Sequence, residues 1–116
     1  MNVFITGATG FIGSQLAKRL AERGNTVHAL YRSERKTSVL NHSNIKLFKG
    51  DILDPVSLEK AVKGCDQVYH VAAFASVWEK DHSRIYHLNI EGAMNVLRVS
   101  FREGVKKILV TSTAGV

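Results

Sequence analysis

Apolar residues follow two alternating rhythms along the chain. Short, nearly continuous apolar runs predict strands at Asn2–Thr6 and at residues 26–30, 45–48, 67–72 and 106–111. Runs with so little alternation suit strands covered on both faces. Between them, apolar positions recur at helical spacing. Residues 11–23 predict a helix with Ile12, Leu16 and Leu20 facing inward at i, i+4 and i+8. Asp54-Pro55 opens a second helix, with Asp as cap, Pro in the first turn and Leu58, Ala61 and Val62 inward. Residues 82–103 predict a long helix burying Ile85, Leu88, Ala93, Val96, Leu97 and Phe101. Gly24, Gly64 and Gly104 stand where the three helices stop. The basic, polar stretch 33–41 suits a short helix, and 76–81 a loop.

Five strands alternating with helices define an α/β class, a doubly wound parallel sheet with right-handed crossovers. No linker or repeat divides residues 1–116. In such a sheet ligands bind beyond the carboxyl ends of the strands. The chemistry-bearing residues gather there: Gly7 to Gly13 after the first strand, Arg32 after the second, Asp51 after the third, Ala72-Ala73 after the fourth and Ser112-Thr113 after the fifth.

The first of these, Thr6-Gly7-Ala8-Thr9-Gly10-Phe11-Ile12-Gly13, lies between a strand and a helix. Gly7 suits a sharp turn, Gly10 a close approach of backbone to a pyrophosphate, and Gly13 close packing of helix on strand. The free N–H groups of the first helical turn then face the phosphates. The spacing is G-x-x-G-x-x-G rather than G-x-G-x-x-G, so it is the strand–turn–helix context that supports a nucleotide site over an ordinary tight turn.

Composition narrows the options. A length of 116 residues suits one small domain, and 45% hydrophobic with 22% charged residues suits a globular one. No apolar run is long enough for a membrane span, and Gly7 interrupts the only N-terminal one, so neither an anchor nor a signal peptide is expected. Cys65 is the sole cysteine, read as a packing residue; a cytoplasmic setting fits. The net charge of +6 is scattered, tightest at Arg32, Arg35 and Lys36, without the basic–aromatic stripe of a nucleic-acid binder. It favours an anionic ligand. His28, His42, His70, His82 and His87 lack ligand spacing, so structural roles and no metal are expected.

Taken with Gly50-Asp51-Ile52, His70-Val71-Ala72-Ala73, Asn89-Ile90-Glu91-Gly92 and Val110-Thr111-Ser112-Thr113-Ala114, in this order and at these intervals, the glycine turn resembles the NAD-dependent epimerase/dehydratase family. These are the extended short-chain dehydrogenases, and the likeness leans toward their dihydroflavonol-reductase-like branch, which includes nucleoside-diphosphate-sugar epimerase homologues. It covers the whole chain and implies a Rossmann-like fold. The resemblance further implies that Gly7, Gly10, Phe11, Ile12 and Gly13 hold a pyrophosphate and that Asp51 and Ile52 meet adenine. Ala72 and Ala73 would line the ribose and nicotinamide side, Ser112 would pack beside the nicotinamide, and Thr113 would be the catalytic Ser/Thr on the substrate's reacting oxygen. Asn89 would sit near the cofactor or catalytic centre. Other roles stay open: Asp51 as a plain turn residue, Ser112-Thr113 as a strand end, and Asn89 as a structural tie. Trp78 and Tyr86 suit either substrate contact or cover for the sheet.

An NAD site wants an acid at the end of the second strand. Here that end reads Ala29-Leu30-Tyr31-Arg32-Ser33, so Arg32, aided by Arg35 or Lys36, suits the 2′-phosphate of NADP(H), with NAD as the alternative. The resembled family's Tyr-x-x-x-Lys pair has no match, since neither Tyr31, Tyr69 nor Tyr86 has a lysine four residues on. The chain is therefore expected to be the N-terminal, cofactor-binding portion of a hydride-transferring oxidoreductase, epimerase or dehydratase. Its small-molecule substrate, a carbonyl compound or nucleotide sugar, would bind only in a longer chain. A non-catalytic NADP(H) sensor ranks second, and a nucleic-acid binder third. An uncovered fifth strand predicts self-association.

Overall fold

A computed structural model of the chain describes residues 1–71 and 82–111, apart from the side chains of 35, 36 and 82. The elements run β1 (Asn2–Thr6), α1 (Phe11–Glu22), β2 (Thr26–Tyr31), a 3₁₀ helix (Glu34–Leu40), β3 (Ile45–Lys49), α2 (Pro55–Val62), β4 (Gln67–His70), α3 (His82–Arg102) and β5 (Lys107–Val110). All strand pairs are parallel, in the order β3-β2-β1-β4-β5. This is the expected doubly wound, Rossmann-like sheet. The order reverses between β1 and β4, so the crevice for a ligand lies beyond their carboxyl ends.

β1 is the central strand, and Val3, Phe4, Ile5 and Thr6 are fully buried. Alternate residues serve two cores. Phe4, Leu30 and Val68 meet Leu58, Ala61, Val62, Val96 and Val99 of α2 and α3. Ile5, Val27 and Ala29 meet Ala17 and Ala21 of α1 and Leu40 of the 3₁₀ helix. The three helices are followed by Gly24, Gly64 and Gly104, all at positive φ.

Three details differ from expectation. The inward seam of α1 is Gly13, Ala17 and Ala21, not Ile12, Leu16 and Leu20. Small residues let the helix lie close to the sheet; Leu16 and Leu20 then flank the seam half-buried, and Ile12 is 67% exposed. Phe101 is 87% exposed, because the sheet-facing stripe of α3 runs through Gly92, Asn95, Val96, Val99 and Ser100. Asp54 does precede α2, but its carboxylate caps nothing; Ser57 Oγ instead donates to the Asp54 carbonyl at 2.7 Å.

The α1 seam is set at its first residue. A Cβ on Gly13 would lie 1.8 Å from the Gly7 carbonyl oxygen, a backbone atom that cannot swing aside. Gly13→Ala should therefore lower stability by about 3 kcal/mol, read as a fall in the urea midpoint; an unchanged midpoint would show that α1 does not depend on this contact.

Candidate functional site

Gly7 turns the chain out of β1 at a φ of 70°, a conformation that a side chain disfavours. The Gly10 N–H closes the turn on the Gly7 carbonyl at 3.1 Å, and the first helical bond runs from Ser14 N–H to the Gly10 carbonyl at 2.9 Å. The helix start carries no side-chain cap and no acidic residue in its first turn. A Cβ placed on Gly10 would touch only the Gly7 oxygen, at 3.4 Å. The N–H groups of Phe11, Ile12 and Gly13 thus begin a helix without a neutralising partner from α1 itself, and Phe11 is 79% exposed beside them. A donor-only helix start at the sheet rim fits a pyrophosphate.

On the neighbouring strands Arg32 follows β2, beside β1, and Asp51 follows β3, one strand further out. The parallel register of β3 on β2 brings those strand ends together, with Tyr31 opposite Lys49, and the Gly50 N–H donates to the Tyr31 carbonyl at 2.9 Å. Arg32 Nη1 lies 3.8 Å from Asp51 Oδ2, too long for a hydrogen bond and largely in solvent. Asp51 Oδ1 accepts from the Leu53 N–H at 2.9 Å, so the turn role is real, and it leaves Oδ2 directed toward Arg32.

At the crevice itself β1 and β4 are tied. Thr6 Oγ1 shares a buried 2.7 Å hydrogen bond with His70 Nδ1 and accepts from the Val71 N–H at 3.1 Å. The His70 carbonyl accepts from Thr111 N–H and, at 3.3 Å, from its hydroxyl, which extends the tie to β5. Burial holds the His70 imidazole below its ordinary pKa. Cys65 is also buried, 3.4 Å from His28 Nδ1, and burial, with Asp66 adding to it, pushes its thiol up to about 12. That suits the packing role expected of it, since burial in apolar surroundings disfavours the thiolate.

The structure therefore brings Gly7, Gly10, Phe11, Ile12, Gly13, Arg32, Asp51 and Ile52 to one rim. Ala72, Ala73, Trp78, Ser112 and Thr113 lie outside the described residues, as do the Arg35 and Lys36 side chains. Tyr86 of α3 is 65% exposed. Asn89 is half-buried. Sequence reasoning missed Asn95, whose buried Nδ2 donates to the Ile52 carbonyl at 2.9 Å. The signal was there: an amide on the apolar stripe with Val96 and Val99, one turn from Gly92.

The pattern of the NAD dependent epimerase/dehydratase family matches residues 3–116, and the chain belongs to that family. It is 36% identical over 110 residues to a putative dihydroflavonol 4-reductase of Synechocystis sp., covering 95% of this chain and 32% of that protein. It is 37% identical over 123 residues to the dihydroflavonol 4-reductase of Gerbera hybrida, covering 97% and 34%. The UDP-glucose 4-epimerase of Bifidobacterium longum, solved in complex with NAD+ and UDP, superposes with a TM-score of 0.79 at 27% identity, over 98% of this chain and 37% of that one. The chain thus spans about a third of the length of these curated relatives. Among the described residues, no helix is long and apolar enough to cross a membrane.

Because folded His70 resists protonation while the unfolded chain takes a proton near pH 6.5, its contribution leaves stability intact above that pH and lowers it as pH falls. Urea unfolding from pH 7 to 5 should show this decline, and His70→Asn should flatten it; an equal slope in the variant would place the titration elsewhere.

Proposed function

We propose that residues 1–116 form the nicotinamide-dinucleotide-binding part of a reductase or epimerase, with NADP(H) preferred over NAD(H). One observation supports this above others: the uncapped, donor-only start of α1 and the Arg32–Asp51 pair occupy the same rim of one parallel sheet. The spread from β1 to β3 is what an adenine dinucleotide needs, with its pyrophosphate on one side and its adenosine on the other.

Gly7, Gly10 and Gly13 shape the turn, and the N–H groups of Phe11, Ile12 and Gly13 bind the pyrophosphate. Asp51 Oδ2 accepts from the adenine amino group, and Ile52 lies against the ring. Arg32 supplies a planar donor fork for the 2′-phosphate, which an acid at the same place would repel. Ala72, Ala73 and Ser112 line the nicotinamide end, and Thr113 donates to the substrate's reacting oxygen; these four rest on the sequence resemblance. The bound cofactor would supply a hydride acceptor or donor. With no Tyr-x-x-x-Lys among the 116 residues, the function proposed for the chain itself is cofactor binding, and turnover of a carbonyl compound or nucleotide sugar is proposed for the whole protein.

Calorimetric titration should give tighter binding of NADPH than of NADH. Arg32→Glu should weaken NADPH at least tenfold and leave NADH within twofold, whereas equal affinities in the native chain would overturn the NADP(H) preference. Copies of the chain are also proposed to associate through β5, which forms an edge of the sheet with Leu109 43% and Val110 50% exposed. Sedimentation velocity should show dimers growing with concentration and reduced by Val110→Lys; a monomer at every concentration would count against this interface.

A further inference from the structure

We propose that Gly92 and Asn95 of α3, together with Ser57 of α2, are positioning residues that hold the loop 51–53 in the shape that receives the adenosine end of the cofactor. This deepens the cofactor reading and rests on it. The loop lies at the exposed end of β3, where a free chain would sample many conformations, yet it is held at successive residues from two helices. Ser57 Oγ accepts from the Asp51 N–H at 3.0 Å and is within 3.1 Å of the Asp51 carbonyl. Asn95 Nδ2 donates to the Ile52 carbonyl at 2.9 Å. The Leu53 and Asp54 N–H groups both return to Asp51, to Oδ1 and to the carbonyl, each at 2.9 Å.

Gly92 completes the hold. A Cβ there would lie 2.5 Å from Ile52 Cδ1 and 2.9 Å from Cγ1, so α3 accepts the Ile52 side chain where any larger residue would push it out. One helix thus grips Ile52 twice: Asn95 by the carbonyl, and Gly92, three residues earlier on the same face, by the side chain. An apolar residue at 95 would fill the same place beside Val96 and Val99 without burying an amide. A buried amide is stable only when bonded, and this one is spent on a loop of the rim rather than on its own helix. The result is an Asp51 whose Oδ1 is committed and whose Oδ2 is aimed along the rim at Arg32. Fixing that geometry before binding removes an ordering cost from the complex.

The test titrates the 116-residue chain with adenosine 2′,5′-bisphosphate and follows backbone amide exchange in parallel. Asn95→Leu keeps bulk and removes the donor; Gly92→Ala displaces Ile52 without touching the hydrogen bond. Each should raise the Kd about tenfold, which for Asn95→Leu is the size of one lost buried hydrogen bond. Exchange at the Leu53 and Asp54 amides should quicken while that of Ile5 and Val27 in the central strands stays as in the native chain. Adding Ile52→Val to Gly92→Ala removes the nearest clashing atom and should restore much of the affinity. The clamp is overturned if the variants bind as the native chain does, or if exchange quickens everywhere in proportion. Should Asn95→Leu fail to fold, Gly92→Ala and its rescue decide the matter alone. A native chain that binds no bisphosphate overturns the cofactor reading and the clamp with it, an outcome distinct from native binding with unaffected variants.

Discussion

The contact of Gly13 with the Gly7 carbonyl governs the arrangement of this domain. With no side chain between them, the first turn of α1 rests on the backbone turn that leaves β1. Ala17 and Ala21 extend the same seam, so the helix stays close to the sheet along its length. Two properties follow from one geometric fact. The larger side chains of α1, Leu16 and Leu20, are displaced to the flanks of the seam, where they pack half-buried against the core. And the start of the helix is delivered to the rim uncapped by any side chain. A conventional Ser or Asp cap would add stability but would occupy the donors that an anion needs.

Most of the architecture was legible in the chain, because strand and helix rhythms differ sharply and each helix ends at a glycine. Five strands, three helices and the short turn of helix all fall within one or two residues of expectation wherever they are described. Facing was less legible. Hydrophobicity pointed to Ile12, Leu16 and Leu20, but in a close-packed seam volume outranks hydrophobicity, and glycine and alanine win the inner positions. Phe101 failed for a related reason: it lies on the outer side of α3, and the inner side is filled by Val96, Val99 and smaller residues.

The candidate site was legible where backbone conformation marks it and illegible where only tertiary contact does. Gly7 needs its positive φ, and Gly13 its missing Cβ, so both announce themselves in sequence. Arg32 and Asp51 could be placed at strand ends, because parallel strands deliver their carboxyl ends to one side. Their mutual approach could not be read, since it depends on the register of β2 on β3. The Thr6–His70 bond likewise joins residues 64 apart, and nothing local to either predicts it.

These ties explain how a rim made of loops keeps its shape. The sheet ends at β1 and β4 are fastened by a threonine hydroxyl that serves both His70 and the Val71 N–H. At β3 the loop is fastened by Ser57 and Asn95. In each case a buried or half-buried side chain bonds to backbone, or to a neutral ring, rather than to a charge. Neutral ties of this kind are little weakened by salt, and they leave the charged groups of the rim, Arg32 and Asp51, as the ones exposed to a ligand. The physical division is consistent: neutral hydrogen bonds build the frame, and charge is reserved for recognition.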